Sequence, residues 1–156
     1  QIIVAALAMA ACNPFQRQQA VEVSTQDAEL NTRWHANLAT PANLAGAVQM
    51  NGSASMAPDP NGTHTNVTLD LGNASPGGVH PWGMHRGQCG AWADNGVVGP
   101  GDAYHALEVD ANGRATQTAS IPMRTPVTGD YFVVVHASAA NAGTVVACGN
   151  LAPPTR

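Results

Sequence analysis

The sequence predicts an all-β fold, a sandwich or barrel-like Greek key of about seven or eight antiparallel strands, and three observations carry that expectation. Short segments alternate apolar and polar residues, the period of a half-buried strand. Sixteen Gly and eleven Pro punctuate the chain and break long helices. After residue 40 no segment sustains a 3.6-residue apolar period. Hydrophobic residues reach 44% but aromatic ones only 4%, so the core is to be built from small and β-branched side chains, which suit packed sheets. At 156 residues one domain is expected.

The first eleven residues are an apolar run, from Ile2 and Ile3 to Met9, too short to span a bilayer as a helix. The run reads as the core of a secretory signal that starts upstream, because no initiator Met or basic stretch precedes it. It closes with Met9-Ala10-Ala11-Cys12, similar to the lipobox of bacterial lipoproteins, although Met is a weak match at the first position. Cys12 would then carry lipid; the alternative is ordinary cleavage nearby. These readings divide the chain into a signal remnant (1–12), a polar tether (13–32), a folded domain (33–150) and a Pro-Pro tail (151–156). They place the protein in the periplasm or cell envelope, with the lipid as its membrane contact. Export also permits disulfides. If Cys12 is acylated, Cys89 and Cys148 remain as a pair; the alternative is two free buried thiols.

Within the domain, Trp34, Ala36 and Leu38 share one strand face. Ala47 and residues 52–56 form short segments bounded by Pro41 and the turn Pro58-Asp59-Pro60-Asn61-Gly62. Residues 63–71 are the clearest strand, with Val67, Leu69 and Leu71 alternating with Asn66, Thr68 and Asp70. A short strand at 79–85 precedes a Gly-rich loop at 87–101. Leu107 and Val109 form the next strand, Asn112-Gly113 turns the chain, and residues 115–121 return as a hairpin. Residues 130–136 and 144–150 complete the set. The sequons at Asn51, Asn61, Asn66 and Asn73 read as chance products of an Asn- and Thr-rich chain.

Charged residues make up 10%, against roughly 25% in a typical domain. The basic residues Arg17, Arg33, Arg86, Arg114, Arg124 and Arg156 are scattered singly, and the net charge is −4. That excludes a nucleic-acid partner, which needs clustered cations. No carboxylate pair stands out, Ser120 and Ser138 lack a nucleophile-elbow context, and no phosphate-cradling Gly loop precedes a helix.

Six His in so weakly charged a chain are the informative feature. His35 and His64 read as surface positions. Residues 78–89, Gly78-Val79-His80-Pro81-Trp82-Gly83-Met84-His85-Arg86-Gly87-Gln88-Cys89, resemble the copper-binding strand of the Cu/Zn superoxide dismutases, G-x-H-G-F-H-V-H-x-x-G-D-C. Val133-Val134-Val135-His136-Ala137 is similar to the family segment with the last copper ligand. Asn141-Ala142-Gly143 through Ala147-Cys148-Gly149 resembles its N-A-G-x-x-x-A-C-G ending. The resemblance covers roughly residues 45–150. It implies an eight-stranded Greek-key barrel, a Cys89 to Cys148 disulfide, periplasmic export, copper as cofactor and superoxide as substrate.

The departures from that family shape the functional expectation. The paired ligand strand reads Gly83-Met84-His85, so His85 and His136 match ligands while one is missing. Loop 87–101 has no His, and His105 matches no ligand. The family's catalytic Arg falls on Val145, which removes the electrostatic guide for superoxide, and no catalytic residue is assigned. Two imidazoles do not make a zinc site, which takes at least three protein ligands. Copper(I) tolerates low coordination, so His85 and His136, joined by His80 or a Met sulfur, are the candidate metal ligands. His80 also matches a family His that braces the site. Met84 is expected to face away from His85, and Met50, Met56, Met84 and Met123 read as core. The expectation is a copper-binding, superoxide dismutase-like protein with weak or lost dismutation; the alternatives are a copper carrier or sink without turnover, and a structural Greek-key domain.

Overall fold

The computed structural model describes residues 32–91 and 96–154. Cys12, the lipobox and the tether up to residue 31 lie outside the described residues. Among those described are nine strands: β1 (Trp34–Ala39), β2 (Asn51–Pro58), β3 (Thr65–Gly72), β4 (Val79–His80), β5 (Trp82–Arg86), β6 (Leu107–Glu108), β7 (Ala115–Ile121), β8 (Tyr131–Ser138) and β9 (Asn141–Leu151). One turn of 3-10 helix, Gly101–Ala103, is the sole helical element among the described residues. The fold is all-β, as the alternation predicts.

Seven strands form one curled antiparallel sheet in the order β5-β8-β9-β1-β2-β3-β7, and β4 pairs with β6 in a small second sheet. The register shows why the pattern dictates the pairing. Trp34, Met56, Val67 and Ala119 lie in one row across β1, β2, β3 and β7, and all are buried. The row Asn37, Ser53, Asp70 and Thr116 faces solvent. A slip of one residue would exchange these faces, so the alternation fixes the register.

Three features depart most from the sequence expectation. The strand expected at 79–85 is two, because Pro81 has no N–H to offer a ladder. Before Pro81 the chain pairs with β6; after it, with β8. The Pro81 carbonyl still accepts the His136 N–H at 2.8 Å. The Asn112-Gly113 turn forms, with Gly113 at φ 75° and the Asp110 N–H donating to the Arg114 carbonyl at 2.8 Å. It does not carry a hairpin ladder: β6 pairs with β4 and β7 with β3. The turn thereby links the two sheets, with β4 lying against β8 and β6 against β7. Finally, β9 begins at Asn141 and reaches Leu151, and Ala152 bridges His35, so the sheet extends past the expected end at 150.

Candidate functional site

Strand β8 is buried on both faces. Val133 and Val135 enter the main core, whereas Phe132 and Val134, equally buried, stand outside it. The second face is covered by the chain after β5. Cys89 is joined to Cys148, and the Cys89 N–H donates to Asn150 Oδ1 at 2.8 Å. The cysteine pairing left open by the count is thus the bonded one. Val98 N–H donates to the Met84 carbonyl at 2.7 Å.

His85 and His136 both belong to this covered face. In the β5–β8 register His85 stands opposite Phe132, and the two rings stack with centroids 5.4 Å apart. Its Nε2 lies 3.5 Å from the point a Cβ on Gly83 would occupy, so the ring leans along β5 toward Gly83. Met84, between them, faces the core and is fully buried, as alternation requires. His136 follows Val135 at a register shift, where Val135 pairs with Ala147 but His136 with Val145. Val146 and Ala147 consequently both enter the core, the mark of a β-bulge, a feature that re-aims side chains beside it.

Electrostatics tie the two imidazoles together. Burial pushes the His136 pKa below the ordinary 6.5, hydrogen bonding to the Ala142 backbone opposes it, and the charge of His85 lowers it further. His85 Nε2 and His136 Nδ1 are both shielded from solvent. His80 stands elsewhere. Its buried Nδ1 is 3.0 Å from the His136 carbonyl oxygen, to which it donates as Nδ1–H, and its Nε2 is buried without a hydrogen-bond partner. Gly78 lies beside that nitrogen: a Cβ built on it would fall 2.8 Å away. His80 therefore contacts the main chain of His136. His35 and His105 are exposed and His64 is half-buried. The His105 carbonyl accepts the Trp82 indole N–H at 2.7 Å.

His136 also lines an open groove of about 720 Å³, together with Val145, Thr144, Asn43 and the Cys89–Cys148 bridge. Among the described residues, no Arg, Lys, Asp or Glu lines it. Among the described residues, no group of three or more His, Cys, Asp or Glu is arranged to hold a metal ion. The sequence reading missed Val97, whose Cγ1 sits 2.6 Å from the position of a Gly83 Cβ. The available signal was an apolar pair, Val97-Val98, inside an otherwise Gly-rich loop. No family model and no curated protein matches this chain.

Proposed function

We propose that the protein is an exported copper-binding member of the Cu/Zn superoxide dismutase-like fold, a Greek-key barrel that holds one Cu(I) through His85 and His136 and dismutes superoxide weakly or not at all. The observation that carries this reading is the pair of imidazoles on one covered face of β5 and β8, with the charge of His85 reaching His136 and each ring having a nitrogen shielded from solvent. A ligating His must be neutral, and burial favours the neutral form of His136. The donor set fits Cu(I), which accepts low coordination. It does not fit zinc, for which a third protein ligand is lacking among the described residues.

Bound copper would supply electron exchange between its two valences; the chain's own contribution is to position the rings and exclude water. His80 braces β8 at the His136 carbonyl and is a positioning residue in this reading, not a ligand. Among the described residues the groove beside His136 presents Val145 and no fixed cation, so these residues offer an anion such as superoxide no electrostatic attraction. Carriage or storage of copper in the cell envelope follows more directly than turnover, with Cys12 lipid as the membrane attachment and no nucleic-acid partner.

A purely structural domain is the second reading, and one observation favours it: Val97 already fills the notch over Gly83. Titration of the purified protein with Cu(I) against a chelator, beside a superoxide assay, separates the readings. Binding that is lost in His85→Ala and His136→Ala, with dismutation no faster than free copper, supports the carrier. Dismutation well above free copper restores an enzyme, and absence of binding leaves the structural domain.

A further inference from the structure

The contact between Gly83 and Val97 bears on which ion the site accepts. An ideal Cβ on Gly83 would lie 2.6 Å from Val97 Cγ1 and 3.5 Å from His85 Nε2, so a methyl group and the candidate ligand nitrogen border one notch. The notch exists because residue 83 has no side chain: a Cβ there would fall inside the methyl's contact distance.

The backbone that follows Val97 is pinned. Its neighbour Val98 donates N–H to the Met84 carbonyl at 2.7 Å and accepts the Tyr104 hydroxyl on its own carbonyl at 2.7 Å. Gly99, at φ 86°, presses on Ile121 so closely that a Cβ would lie 2.3 Å from Cγ2. The backbone on the C-terminal side of Val97 is thus held to β5, to the ring of Tyr104 and to β7.

From this geometry we infer that Val97 is a specificity-determining residue that limits coordination beside His85 and makes the site selective for a monovalent, low-coordinate ion over divalent ones. The inference rests on the copper reading of His85 and His136 and goes beyond it by naming the valence and the residue that selects it. The physical reason is that divalent copper and zinc require further donors, from protein or water, around the metal. A methyl group fixed in the space next to the ligand nitrogen supplies no donor and displaces a water that could. Cu(I) loses nothing by that exclusion, since two imidazoles and an apolar wall satisfy it.

The test compares wild-type protein, Val97→Ala and Val97→Thr, with His85→Ala as the ligand control. Cu(I) affinity is read by chelator competition, and Cu(II) and Zn(II) affinity by titration, with the Cu(II) paramagnetic resonance spectrum reporting its donors. Val97→Ala admits water and Val97→Thr adds an oxygen while keeping the shape, so either variant suffices if the other melts below the assay temperature. The expected result is Cu(II) affinity raised about tenfold or more, the scale of changes around a metal's first ligands, with Cu(I) affinity little altered. Unchanged Cu(I)-to-Cu(II) preference in both variants overturns the role of Val97 while leaving the copper reading intact. Tight Cu(II) binding by the wild type likewise overturns it. If the wild type binds neither ion, the copper reading fails first and the selectivity falls with it.

Discussion

At His136, burial and the charge of His85 act in the same direction, and together they outweigh the hydrogen bonding to Ala142 that favours the charged ring. The folded-state pKa therefore lies below the unfolded value of 6.5. The unfolded chain binds the proton more tightly, so this imidazole's contribution to stability is whole above pH 6.5 and is lost as the pH falls through the window below it. Urea unfolding from neutral pH down to about pH 5 should show the midpoint falling with acidity. His136→Gln, which cannot protonate, should flatten that fall. A variant as acid-sensitive as the wild type would locate the linkage in another group. The identity of His136 as a candidate was legible in Val133-Val134-Val135-His136, but its surroundings were not. The bulge that brings Val146 and Ala147 into the core together, and the methyl of Val97 over Gly83, depend on contacts between segments far apart in the chain, which no local pattern encodes.

Elements differ in how openly the sequence declares them. Strands β1, β3 and β7 were legible because each carries one dry and one wet face. Strand β8 is apolar on both faces, so its run of Val marked a strand without marking which face held the site. The pairing partners of β4 and β6 were illegible, because Pro81 stops one ladder without naming the next. Where two strands approach most closely, a glycine records the fact. Gly52 on β2 stands opposite Leu71, and a Cβ on it would lie 2.2 Å from the Asp70 carbonyl oxygen. That oxygen belongs to the β2–β3 ladder and cannot swing aside as a side-chain end could. Gly52→Ala should therefore cost about 1–3 kcal/mol, the range of overpacking a close-packed site. Gly46→Ala is the control: nothing lies within 4 Å of its would-be Cβ, and its effect should stay within about 0.5 kcal/mol. Equal denaturation midpoints for the two variants would show that the β2–β3 pair yields more readily than its ladder suggests.

For the molecule as a whole, the Cys89–Cys148 bond is the longest-range covalent constraint, spanning 59 residues. The enclosed chain contains β6, β7, β8 and β9 as far as Cys148, so the bridge limits these strands in the unfolded state and ties the segment after β5 to β9 in the folded one. Chain-entropy reasoning for a loop of this length gives a stabilisation of about 4 kcal/mol, a large fraction of the 5–15 kcal/mol typical of a folded domain. The Cys89→Ala/Cys148→Ala double variant should lose about that much in chemical denaturation, and reductant should bring the wild type to the same midpoint. Because Cys89 and Cys148 both line the groove with His136, the loss should reach the candidate site as well as stability: residues 87–91 would be held to β9 chiefly by the Cys89 amide on Asn150, and, under the proposed copper reading, Cu(I) retention should weaken in parallel. A double variant that unfolds at the wild-type midpoint would mean that the unfolded chain is already restricted without the bridge. One that unfolds early yet keeps any Cu(I) affinity the wild type shows would separate the two roles, leaving the bond to stabilise the sheet while β5 and β8 alone hold the imidazoles.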